Sequence, residues 1–143
     1  MIKIEPFGYK PSEHEAEKAS NSYLVSMVTA IAGMPLPIVN LIATLFFYLA
    51  NRKGTLFVRW HCTQGLLSQI TLLAMNSVGF WWTVGLILGE QQINNSYIAY
   101  IITIFLFNMA ELIASIYTSI QTRKGKHVTW WFYGNLTDIL CKG

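Results

Sequence analysis

Charge is scarce in this sequence and missing from most of its length. Of 143 residues, ten are basic and seven acidic, 12% in all, against about 25% in an ordinary soluble domain. Seven of the charged residues precede Ser20, and none occurs from Asn21 to Asn51 or from Trp60 to Gly89. A soluble helix keeps charge on its exposed face, so helices apolar on every face belong in a bilayer. With 53% hydrophobic and 14% aromatic residues and a mean hydropathy of +0.40, the chain reads as an integral membrane protein. Cysteine is nearly absent too. Cys62 and Cys141 lie far apart, near ends placed in the cytoplasm, and form neither a disulfide framework nor a metal spacing, so reduced thiols are expected. The three histidines, His14, His61 and His127, are scattered without ligand spacing. There is no phosphate loop, nucleophile elbow, zinc pattern or pair of carboxylates. No enzyme activity, cofactor or bound metal is therefore expected. A net charge of +3 is too small to point to nucleic acid. The start is polar rather than basic-then-apolar, so no cleaved signal is expected.

Along the chain, residues 1–21 form a polar segment in which Ser12 and Glu15 have the spacing of a capping box. Residues 22–122 form a helical membrane domain, and 123–143 a basic and aromatic interfacial tail. The uncharged run from Asn21 to Asn51 is too long for one simple crossing and too short for two full ones. Gly33, Pro35 and Pro37 interrupt it, which fits either one kinked helix or, preferably, a hairpin turning at GMPLP. Arg52, Lys53 and Arg59 make a basic loop with Gly54 as a helix stop. The next run, Phe57 to Gly89, would reach about 50 Å as one helix, so a bend or end near Gly79 is expected, with Trp81 and Trp82 at the far interface. Tyr97 to Ile120 is a second clear span. The expected fold is all-α: four membrane helices, the first two a Gly/Pro-broken hairpin, plus an interfacial C-terminal segment. Positive charge at 52–59 and 123–126 places both sites and the C-terminus in the cytoplasm, with the 90–96 turn outside; the expected location is a bacterial inner membrane.

The stretch FVRWHCTQGLLSQITLLAMN carries polar groups at helical spacing. Gln64, Ser68, Leu72 and Asn76 form one row, and His61, Gly65 and Gln69 the row beside it. The second span bears Asn108, Glu111, Ser115, Thr118 and Thr122 at spacings of three and four. Run antiparallel, Glu111 falls at the depth of Gln69. An intramembrane acid is a relay or ion ligand by default, but a hydrogen-bonded fastener between helices is the plainer reading, and the one preferred here. His61 and Gln64 lack a second ligand at a suitable offset, and His61 reads as an interfacial hydrogen-bonding group. Gly85 with Gly89, and Ala110 with Ala114, have the small-xxx-small spacing of close helix contacts. Arg52, Lys53, Arg59, Trp60, Lys124, Lys126, Trp130 and Trp131 are the candidate interfacial or partner-contacting residues. Asn94 and Asn135 each begin an N-x-S/T pattern, which is frequent by chance.

Phe57, Val58, Arg59, His61, Gln64 and Leu66, followed later by Lys124, Gly125 and Lys126, resemble the motif set of the small Tic20-like (DUF4870, or HOTT) membrane proteins. The resemblance covers roughly residues 22–140. Gly65 stands where that family has Ala or Ser, and Trp130 and Trp131 where it often has Tyr and Pro. It implies a four-helix membrane fold. Chloroplast members serve a protein-import translocon, some bacterial members reside in specialised organelle membranes, and none is known to be an enzyme through this motif. The leading expectation is a non-enzymatic membrane subunit, an accessory of protein translocation or insertion, with lipids and other membrane proteins as partners. The alternatives are a small solute or proton conductor using Glu111, Gln69 and His61, and a self-associating membrane scaffold.

Overall fold

Each end of the first helix is set by its sequence. Ser12 N–H donates to Glu15 Oε2 at 2.8 Å and Glu15 N–H donates to Ser12 Oγ at 3.3 Å, the reciprocal box that satisfies two orphan amides. The Ser12 amide, with Thr55 and the Tyr9 hydroxyl, holds the Glu15 carboxyl down to about 2. From this cap α1 runs over Glu13–Ala32 in a computed structural model that describes residues 2–32 and 37–142. Helix α2, Pro37–Asn51, returns antiparallel beside α1. The Thr29 hydroxyl donates to Asn40 Oδ1 at 2.6 Å, and Ser26 and Thr44 hydroxyls meet at 3.4 Å. Of the GMPLP turn, residues 33–36 lie outside the described residues.

Helix α3 is continuous over Leu56–Ile87, about 48 Å at 1.5 Å per residue. It does not end at Gly79. That glycine is buried, and a Cβ there would overlap the end of Ile104, so its smallness admits a neighbouring helix rather than stopping its own. The Gly85/Gly89 pair is likewise no helix–helix face. Gly89 has φ +77°, and Glu90 N–H donates to Gly85 O at 3.0 Å, the hydrogen bond of a glycine-terminated helix end. Helix α4, Asn95–Arg123, starts where Asn94 Oδ1 accepts from Tyr97 N–H at 2.8 Å. Asn76 and Asn108 exchange two amide hydrogen bonds between α3 and α4, at 3.1 and 2.8 Å. Ser20 of α1 meets Ser119 of α4 at 2.9 Å.

The two termini depart most from the sequence expectation. Beyond Gly125 (φ +76°), β2, His127–Trp130, pairs antiparallel with β1, Ile2–Glu5, with Ile2 opposite Trp130 and Glu5 opposite His127. Helix α5, Tyr133–Cys141, then lies on α3, where Trp60 Nε1 donates to Asp138 Oδ1 at 2.8 Å. Among the described residues there are thus five helices, not four, and a two-stranded sheet. The tail, expected only as an interfacial segment, forms a strand and a helix docked on the rest of the chain.

Burial is concentrated at this end. Tyr23, Phe57, Val58, Trp60, Cys62, Val128 and Trp130 are its buried apolar residues. Further along, α4 turns Ile98, Ile102, Phe105, Leu106 and Ile113 outward. Helices α3 and α4 are both long and apolar enough to cross a membrane, and few residues of either span are buried inside the protein. Core helices of soluble proteins bury that apolar surface; here it faces outward, as membrane spans do.

Candidate functional site

Two buried polar clusters occupy the junction of α1, α2, α3, α4 and β2. In the first, Gln64 acts as a three-way bridge. Its Oε1 accepts from Trp130 N–H at 2.9 Å, and its Nε2 donates to Tyr23 OH at 2.8 Å and to Val128 O at 3.2 Å. Because the Tyr23 oxygen already accepts from Gln64, its proton is free for His61 Nδ1, 2.8 Å away. That tautomer leaves His61 Nε2–H facing His127 Nδ1 at 3.3 Å. Phe57 and Trp60 pack edge-on against His61, with ring centroids 4.6 and 5.0 Å away. This cluster therefore fastens the β2 strand to α3.

The second cluster joins all four long helices. Thr29 donates to Asn40, Asn40 Nδ2 donates to Gln69 Oε1, and Gln69 Nε2 donates to Glu111 Oε1 at 2.9 Å. Ser68 Oγ donates to the same carboxyl oxygen at 2.7 Å. Ser115, one turn beyond Glu111, is buried. His61 belongs to the first cluster and Glu111 with Gln69 to the second. No hydrogen bond among the described residues joins the two.

Beside Glu111 lies a groove of about 390 Å³ between α3 and α4. Leu72, Met75, Phe107, Ala110 and Ala114 line it, and Trp130 to Tyr133 close one end. Among the described residues, no three His, Cys, Asp or Glu side chains come together as a metal site would require.

The candidate interfacial residues separate into two groups. Arg52, Lys53, Lys124 and Lys126 are exposed, Arg59 is half-buried, and Trp131 is 77% exposed. Trp60 and Trp130, at 3% and 6%, are core residues instead. The tail folds back over them, and each indole N–H finds an internal acceptor, Asp138 for Trp60 and Thr118 for Trp130. Sequence reasoning overlooked Tyr23, Asn40 and His127 as members of the clusters. Asn40 carried a usable signal, being an amide within an uncharged apolar run. Tyr23 and His127 carried none, since their partners are about 40 and 66 residues away.

His127 lies outside the spans, and its pKa is lowered, chiefly by burial, with Asp138 and Glu5 pulling the other way. The unfolded imidazole titrates near 6.5, so below that pH the unfolded chain binds more protons than the folded one. The stabilising contribution is thus present above pH 6.5 and is lost as the pH falls. The melting temperature in detergent is expected to drop between pH 7.5 and 5.5, and to drop less in His127→Gln. Equal pH dependence in the two proteins would show that His127 is not the group responsible.

A helical bundle with two outward-apolar helices long enough to cross a membrane, internal polar fastening and a terminal cap is the build of a small membrane-associated protein. Residues 19–136 match the MamF/MmsF model, the magnetosome magnetite crystal formation protein family, and the chain belongs to that family. No characterised protein and no solved structure matches the chain significantly. The match replaces the Tic20-like (DUF4870) resemblance, and the translocation role and protein-transport reading go with it. The physical reason lies in the motif positions themselves. Phe57, Val58, His61 and Gln64 are all buried where α3 meets the terminal segments, so they report how a helix packs rather than what the protein carries. The family is one of magnetosome membrane proteins involved in magnetite crystal formation.

Proposed function

We propose that this chain is a non-enzymatic integral subunit of the magnetosome membrane that supports magnetite crystal formation together with other membrane proteins and the surrounding lipids. The observation that carries this reading is the closure of the second cluster. Thr29, Asn40, Gln69, Ser68 and Glu111 satisfy one another across four helices, which is what a fastener does. A conductor built on Glu111, Gln69 and His61 would join those groups in one path, whereas they divide between two clusters. The basic loops at 52–59 and 123–126 keep one face cytoplasmic, so the 90–96 turn looks toward the enclosed compartment.

The test uses a magnetosome-forming host that lacks the chain. Its crystals are expected to change in size or number, and wild type and Glu111→Gln should both restore them, because Gln keeps the shape and the hydrogen-bond acceptor. Glu111→Leu should restore them poorly, since it strips Ser68 and Gln69 of a buried partner, at a cost of about 1–3 kcal/mol. Loss of an iron or proton flux in vesicles holding folded Glu111→Gln protein would replace the subunit reading with the conductor.

A further inference from the structure

The four long helices do not all reach the same depth. Asn40 of α2 bonds Gln69 of α3, and Pro37, where α2 begins, lies about 4.5 Å further along. The far ends of α1 and α2 therefore stand near the level of Leu72, about 24 Å along α3 from Leu56. Their other ends lie at the basic side, where Glu17 pairs with Arg123 at 3.6 Å and α2 leads into Arg52 and Lys53. In between, Val28, Ile31, Ile38, Ile42 and Phe46 are exposed, so this pair of helices meets hydrocarbon as α3 and α4 do. Trp60 and Trp81 lie about 31 Å apart along α3, the thickness of a ~30 Å hydrocarbon core. At the far level Trp82 packs on Tyr97 and Tyr100, with centroids 5.7 and 5.8 Å apart, as an aromatic belt does. The midplane then falls near Ile70, and α1 and α2 end just past it.

The contacts between α3 and α4 change at the same level. Toward the basic end α1 bridges them: Tyr23 bonds Gln64 and His61 of α3, and Ser20 bonds Ser119 of α4. From Glu111 outward the two helices meet directly. Asn76 bonds Asn108, Tyr100 OH donates to Met75 O at 3.0 Å, and Thr83 meets Tyr97 at 2.9 Å. Four helices thus occupy the basic-side leaflet, and two helices in mutual contact the other. A helix about 10–12 Å across covers about 80–110 Å² of membrane plane. The molecule is a wedge, roughly twice as broad in one leaflet as in the other, before α5 and the sheet are counted.

We propose that this wedge makes the chain favour membrane that is convex on its basic side, the curvature of the outer leaflet of a small vesicle. In a flat bilayer a wedge crowds the lipids of one leaflet and leaves the other underfilled. Curvature relieves both, as tilt and local thinning relieve a mismatch of length, and such costs sort proteins among membranes. With the basic loops cytoplasmic, as in the proposed function, the favoured membrane is one that curves around an enclosed compartment. The orientation in the cell rests on that reading, whereas the wedge rests on helix depth alone.

The test draws a narrow membrane tube from a giant vesicle of phosphatidylcholine and phosphatidylglycerol that holds the full-length chain, labelled at its C-terminus. An impermeant quencher separates molecules whose basic end faces outward from those inserted the other way. The outward population is expected to concentrate several-fold in the tube, increasingly as the tube narrows, and the inward population to be depleted from it. Equal densities in tube and vesicle, the same enrichment of both populations, or the reverse order overturns the proposal. The depth is checked separately with a spin label on Val39→Cys, an exposed position, in a chain that also carries Cys141→Ser. The label is expected to collide with dissolved oxygen and not with an aqueous nickel chelate, as a group near the bilayer centre does. Collision with the chelate as frequent as for a label on Gln92→Cys would place α2 across the whole membrane and remove the wedge. If the tube shows no sorting but loss of the chain still alters crystals in the host, the wedge falls and the subunit reading stands. Sorting as expected in a chain whose loss leaves crystals unchanged removes the subunit reading and keeps the wedge.

Discussion

Gln64→Leu is expected to unfasten the C-terminal strand from the bundle. The substitution keeps the volume and removes every polar atom of a fully buried side chain. Tyr23 OH would keep His61 as a partner, but Trp130 N–H and Val128 O would lose the atoms that satisfy them. An orphaned buried polar group costs about 1–3 kcal/mol, so the pair amounts to roughly 2–6 kcal/mol, a large share of the about 5–15 kcal/mol that holds a typical domain. A fall in melting temperature on the order of 10 °C should follow in detergent, with new protease cleavage between Arg123 and Tyr133. Protection of that segment with an unchanged melting temperature would show that the strand is held by its apolar contacts alone.

How much of this was legible beforehand depended on sequence distance. The spans could be read because length and missing charge are local properties, and α3 and α4 show them over 32 and 29 residues. Glu111 and Gln69 share a depth because antiparallel neighbours obey a simple rise per residue. The terminal sheet could not be read. A four-residue strand shows no reliable alternation, and β1 and β2 meet across more than 120 residues. That pairing is why Trp60 and Trp130 look interfacial in sequence and are core in structure. The same aromatic-and-basic composition describes a membrane-surface belt and a capping strand, and only the partner decides between them. The glycines mislead for a related reason. Gly79 and Gly89 are both small, yet one admits Ile104 and the other supplies a positive φ. Spacing alone does not separate those uses.

The adjacent tryptophans of the tail give the sharpest contrast. Trp130 is nearly buried, its indole N–H donates to Thr118 Oγ1 at 2.7 Å, and its ring packs against Tyr23 and Tyr133 with centroids 5.8 and 6.0 Å apart. Trp131, the next residue, points to the opposite side of the strand end and is 77% exposed. Trp130→Ala should cost about 3–5 kcal/mol, the usual penalty for emptying a buried aromatic site, and leave Thr118 without its donor. The melting temperature should fall by 10 °C or so. Trp131→Ala should stay within about 0.5 kcal/mol of wild type, because the side chain touches little of the protein. Its effect belongs elsewhere: an exposed indole near Lys124 and Lys126 fits a headgroup layer or a partner's rim. With the fold intact, Trp131→Ala should reduce the quenching of tail fluorescence by lipids carrying headgroup-level quenchers, or weaken co-purification of the partner. If instead Trp131→Ala unfolds the protein and Trp130→Ala does not, the register of β2 against β1 is off by one residue, since a one-residue slip exchanges the two faces of a strand.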